Sequence, residues 1–152
     1  MRAVAHRPRT RAPAAPPPVD VHLRRLWQDA LLVFLHGPGC AGCVQIASQL
    51  VRHWAEWDRW GTGVIVLRSD PSGFSDVPFP QIHDPGGGAR QAYGGAADAV
   101  LACLDHRGRW MAGWTVTHPE AVDWHEVAQT VRWVAIQEPE CAACAVEPAW
   151  ED

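Results

Sequence analysis

The residues with the most chemistry in this chain are two cysteine pairs, Cys40/Cys43 and Cys141/Cys144, each spaced Cys-x-x-Cys. A thiolate, not a thiol, is the nucleophile and the metal ligand, and an ordinary cysteine pKa of ~8.5 leaves few thiolates at neutral pH. The first pair follows the apolar run Leu31-Leu32-Val33-Phe34-Leu35 and the turn His36-Gly37-Pro38-Gly39, and an amphipathic segment begins at Val44. That order predicts a buried strand, a turn and a helix, with both thiols at the helix N-terminus. Unpaired backbone N–H groups and the helix dipole favour a thiolate there. Two intervening residues let one sulfur attack a mixed disulfide formed on the other, so the pattern predicts a redox dithiol. The blander readings are two small core residues or half of a metal site.

The second pair lies beside Glu138, Glu140 and Glu147, whose charge disfavours a thiolate. A relay dithiol, a contribution to a partner subunit's site in a homodimer, metal binding and an inert surface tail all stay open for it. Cys103, inside an apolar run, reads as a buried inert thiol. His36 reads as a polar residue at a strand end, the alternative being support of a thiolate. His83, His106, His118 and His125 fall in loops or caps and are given no role. Trp54, Trp57 and Trp60, like Trp110 and Trp114, read as packing residues.

The elements that must position the first dithiol follow from periodicity. Ala30–Leu35 is the strand before it. The helix runs from about Cys40 to Arg59, with Val44, Ala47, Leu50, Val51 and Trp54 as its buried face and Gly61 and Gly63 ending it. Val64–Leu67 is a second buried strand, and two continuously apolar strands around a helix predict a parallel βαβ unit. Asp70-Pro71-Ser72-Gly73 is a turn. Phe79–His83 is a short extended piece, and Asp84-Pro85-Gly86-Gly87-Gly88 is a loop rather than a phosphate cradle, because no long helix follows it. Ala99–Leu104 and Trp110–Val116 form an antiparallel hairpin about the turn Asp105–Gly108. Asp123 and Glu126 have capping-box spacing for a last helix that buries Trp124, Val127, Ala128, Val131, Val134 and Ala135. Pro139 is expected to stop it at about Glu138.

Composition bounds the rest. The 152 residues suffice for one domain with a sizeable core, and 47% apolar content argues against wholesale disorder. All basic residues are Arg, and the net charge of −4 gives no support to nucleic-acid binding. No apolar run approaches the ~20 residues of a membrane span. Residues 1–18, rich in Pro and Arg, lack the apolar centre of a secretory signal; a disordered tail is expected, with an Arg-rich, acid-free transit peptide as the alternative. Five cysteines without such a signal point to redox or metal chemistry in a reducing compartment, hence the cytoplasm. The expected organisation is tail 1–18, domain 19–138, and a tail 139–152 holding the second dithiol.

"LLVFLHGPGCAGC" resembles the strand and active-site turn of the thioredoxin-like superfamily. "VPFPQIHDPGGGARQAYGG" resembles the segment after the second strand in its alkyl hydroperoxide reductase/thiol-specific antioxidant (peroxiredoxin-like) branch. The resemblance covers about Val19 to Gln137. It implies an α/β thioredoxin-like fold, a central mixed sheet with helices on both faces. It also implies a thiol–disulfide oxidoreductase with Cys40 as nucleophile and Cys43 as resolving thiol. No cofactor is implied; the substrate would be a protein or small-molecule disulfide, and the electron donor is open. In that layout the last helix runs away from the dithiol, about 22 Å over some fifteen residues, so one four-cysteine metal site within a chain is disfavoured.

Departures from the family pattern narrow the reading. The position where thioredoxins carry a cis-proline is Gly95-Ala96-Ala97-Asp98, without proline. Peroxiredoxins place Thr or Ser three residues before the attacking cysteine and an Arg near the third strand. Here Gly37 stands at the first position, and no Arg lies between Tyr93 and Asp105. Two alternatives therefore accompany the main expectation: a peroxiredoxin-like peroxidase, and a non-catalytic module holding zinc or an iron–sulfur cluster through its Cys-x-x-Cys pairs.

Overall fold

A computed structural model describes the backbone of residues 4–6, 28–94 and 99–144. Strand β1 is Val4–His6, β2 Asp29–Leu35, β3 Thr62–Arg68, β4 Gln81–His83, β5 Ala99–Leu104 and β6 Trp110–Val116. Helix α1 is Ala41–Arg59, α2 Gly88–Gly94 and α3 Trp124–Cys144. The strands form one mixed sheet in the order β1-β6-β5-β2-β3-β4. β2, β3 and β4 run parallel, and β5 pairs antiparallel with both β2 and β6.

Every residue of β2 and of β5 is buried, as expected of strands covered on both faces. Alternation splits them between two cores. Leu31, Val33 and Leu35 join Val64, Val66, Leu101 and Trp114 under α1 and α3. Leu32 and Phe34 join Ile65, Leu67, Val100 and Tyr93 on the other face, where α2 packs. Helices on both faces of a mixed sheet are the architecture that the resemblance implies.

Several details differ from expectation. Val4–His6, within the expected tail, pairs antiparallel with β6. The outer edge of β6 offers unpaired N–H and C=O groups, and this short segment precedes the prolines that cannot donate to a ladder. Gly63 lies inside β3; Gly61 alone, at φ 83°, makes the turn after α1. Helix α3 continues through Pro139 to Cys144. Proline's fixed φ is compatible with a helix, and what is lost is a hydrogen bond and the fit against the preceding turn. Val19–Trp27 and Gly95–Asp98 lie outside the described residues.

The buried face of α1 is also shifted. It consists of Cys43, Ile46, Ala47, Leu50 and Trp57, whereas Val44 and Val51 are about two-fifths exposed. Apolar residues cover a wide arc of this helix, so periodicity alone leaves its rotation underdetermined. Trp54 and Trp60 pack partly buried against the same core as Trp57, and Trp110 and Trp114 are buried.

Candidate functional site

The site grows from the junction of β2 and α1. β2 brings the chain to the sheet's end, and Cys40 accepts the role of helix cap: its backbone is extended, and the Cys43 N–H donates to its Sγ at 3.3 Å. The His36 N–H donates to Cys43 Sγ at 3.3 Å. The Cys40 N–H donates to the Gly37 carbonyl at 3.2 Å, closing the turn between them. The loop after β3 holds this turn, with the Asp70 N–H donating to the His36 carbonyl at 2.8 Å and the Ser69 N–H to that of Leu35.

The two sulfurs are in unequal settings. Both are free thiols; Cys40 is half-buried and Cys43 is 2% exposed. Burial, and then the hydrogen bond with Cys40, push the Cys43 thiol up to about 11, although the amides of Gly37 and His36 pull it down. Cys40 is thus the sulfur a partner can reach, with Cys43 lying behind it. Cys103 is fully buried on β5, and burial raises its thiol further, as expected for an inert core cysteine.

Close packing fixes two of the glycines around the pair, Gly37 and Gly42. A Cβ at Gly37 would lie 2.5 Å from Asp70 Cβ, so a threonine there would require the Asp70 loop to move. A Cβ at Gly42 would lie 2.6 Å from Pro119 Cγ, in the short 3-10 turn before α3. Gly42 therefore lets that turn close one side of the dithiol. On the other side Pro38, Val44, Ala47 and Val51 of the dithiol segment face Phe74 and Val77 across an open groove of about 450 Å³. The groove explains why Val44 and Val51 are not core residues.

His36 is the residue that sequence reasoning undervalued. A nitrogen of its imidazole and the Sγ atoms of Cys40 and Cys43 all lie within 4.8 Å of one another. The signal was its position four residues before the first cysteine, within the turn that brings the pair together. The side chains of the second dithiol, Cys141 and Cys144, lie outside the described residues, and only the path of their helix is given. Helix α3 runs alongside α1 in the same sense: Trp124 stacks near His53, and Arg132 lies over Trp60. Cys141 and Cys144 lie beyond Arg132, in the last turns of α3. Nine further residues at ~1.5 Å each take Cys141 about 13 Å past the end of α1 that is remote from Cys40.

Comparison with solved structures adds a fold. A Chlorobium tepidum protein assigned as the thiol:disulfide interchange protein DsbE superposes with a TM-score of 0.62 at 17% identity, over 73% of this chain and 82% of that one. Peroxidoxin BcpB from Mycobacterium tuberculosis gives 0.61 at 14%, over 74% and 84%. The fold is thioredoxin-like. A secreted Mycobacterium tuberculosis disulfide oxidoreductase homologous to DsbE gives 0.54 at 16% identity, over 70% of this chain and 81% of that one. No family model matches the sequence, and no curated protein does. At these identities the thioredoxin-like neighbours establish architecture alone; the chemistry of this chain is argued from its own residues.

Elsewhere in the thioredoxin-like frame, the Gly86–Gly88 stretch is no anion cradle. The Asp84 carboxylate accepts hydrogen bonds from the N–H groups of Ala89 and Arg90, so the start of α2 is already capped by its own loop. His83, His106, His118 and His125 lie apart from the dithiol cluster.

Proposed function

We propose that this chain is a thiol–disulfide oxidoreductase, with Cys40 as the attacking thiol and Cys43 as the resolving one. The observation that carries the reading is the inequality of the pair: a half-exposed sulfur at the cap of a 19-residue helix, backed by a buried sulfur whose own N–H reaches it. The Cys40 thiolate attacks one sulfur of a partner disulfide. The partner S–S bond breaks, a mixed disulfide forms, and the first partner sulfur leaves as a thiolate and takes up a proton. Cys43 loses its proton and attacks Cys40 Sγ, forming the Cys40–Cys43 disulfide and releasing the second partner thiol. The partner gains two electrons and this chain loses two. Regeneration needs a dithiol donor, and a reducing compartment such as the cytoplasm would supply it.

The groove beside Pro38 and Val44 supports a protein or peptide disulfide as substrate, since its apolar wall would hold side chains flanking the scissile bond. Peroxide reduction is less well supported. The position where a hydroxyl would hold the peroxide is Gly37, and Asp70 leaves no room for a side chain there.

Trapping tests the assignment. Single-cysteine variants at the pair, incubated with a disulfide-bearing partner mixture, should differ: Cys43→Ser accumulates mixed disulfides and Cys40→Ser does not. Equal trapping by both would overturn the assigned roles.

A further inference from the structure

The dithiol turn carries a third soft donor. We propose that His36, Cys40 and Cys43 form a binding site for a single thiophilic d10 cation, Zn²⁺ or Cu⁺. The three donor atoms already lie within 4.8 Å of one another. Metal–sulfur bonds of ~2.3 Å and metal–nitrogen bonds of ~2.0 Å need donor separations of roughly 3.5–3.8 Å in a tetrahedral site. Side-chain torsions can cover the difference without moving the backbone. Two thiolates and an imidazole are the set that selects zinc or cuprous ion over hard cations.

The surroundings of the donors support this. Amides of Cys43 and His36 already donate to the Sγ atoms of Cys40 and Cys43. Outer hydrogen bonds of that kind orient thiolate ligands and offset their negative charge. His36 and Cys40 are half-buried, which leaves an outward fourth position for water or a donor from a partner. The site is confined to one turn and its helix, so it does not need Cys141 or Cys144.

Binding displaces two thiol protons per ion, M^n+ + 2 RSH → M(SR)₂^(n−2) + 2 H⁺, and involves no change of oxidation state. The proposal shares its sulfurs with the oxidoreductase reading, so a bound ion and a Cys40–Cys43 disulfide exclude each other. An ion at the site would hold the dithiol inactive until it is removed.

The test uses the full chain, reduced and anaerobic, with Cys141→Ser and Cys144→Ser to silence the second pair. Zn²⁺ and Cu⁺ are each titrated alone against a chromophoric chelator. The expected result is one ion per chain and two protons released per ion. His36→Gln should weaken binding at least as much as the ~10–100-fold that losing an outer-shell partner costs. Cobalt substitution of the chain with His36 and both site cysteines intact needs no change in the turn, and should show charge-transfer bands from two thiolates in a tetrahedral field. Bound metal should also slow alkylation of Cys40 in proportion to occupancy. Unchanged affinity in His36→Gln, absence of saturable binding, or binding that survives only with the second pair intact would overturn the site. Mixed-disulfide trapping by metal-free Cys43→Ser reports separately on the oxidoreductase reading.

Discussion

The beginnings of α1 and α3 have different caps. At α3, Asp123 accepts from the Glu126 N–H at 3.1 Å, and at α2 the Asp84 carboxylate accepts from Ala89 and Arg90. At α1 the group in the same place is the Cys40 sulfur, 3.3 Å from the Cys43 N–H. A carboxylate satisfies helix N–H groups and complements the dipole; a thiol sulfur is a weak acceptor. The 19-residue helix that carries the dithiol thus starts with the weakest of these three caps, at the helix start where a reactive group stands. The two carboxylate ends are closed by their own loops, and the thiol end is left able to react.

Substitutions can break or sharpen that contrast. The largest loss of stability is expected from Gly37→Thr. It forces a side chain into Asp70 and should cost about 1–3 kcal/mol, read as a lower denaturant midpoint with no gain of peroxide reduction. Next come the caps. Cys40→Asp should abolish disulfide exchange while raising stability by about 1 kcal/mol, and Asp84→Ala should lower it by about the same amount with exchange intact. If Cys40→Asp destabilises instead, the idea that the dithiol helix gives up cap stability fails.

The smallest effect is a pH dependence on the far side of α1. His53 stacks on Trp57 at 5.0 Å, and burial, with the charge of Arg52, lowers its pKa from 6.5. The unfolded chain then binds the proton more readily, so stability is full above about pH 6.5 and falls as pH drops through the depressed folded value. Half-exposure keeps the effect small. His53→Gln should flatten that acid-side slope in urea titrations at pH 5 to 7.5.

Much of the frame was legible from sequence because its strands are short, apolar and bounded by turn residues. β5 and β6 have the bounds that their patterns predict, and the dithiol stands at the strand–helix junction. What was not legible has a physical cause in each case. The rotation of α1 could not be read because Val44, Ile46, Val51 and Trp57 all fit a helical period; tertiary packing chose Ile46 and Trp57 for the core. β1 pairs through backbone groups that leave no trace in side-chain pattern. His36 reads from sequence as a polar strand-end residue, with support of a thiolate only as the alternative, because it is the turn geometry that brings its ring to the two sulfurs.

The central claim, an exposed attacking sulfur backed by a buried one, is tested most directly by timed alkylation of the native, reduced chain at neutral pH. The measurement is made with a chelator present and with Cys141→Ser and Cys144→Ser, and modified residues are located by mass spectrometry. Cys40 should be modified at least about tenfold faster than Cys43, and Cys103 only after unfolding. Modification of Cys43 first, or of both at one rate, would contradict the account.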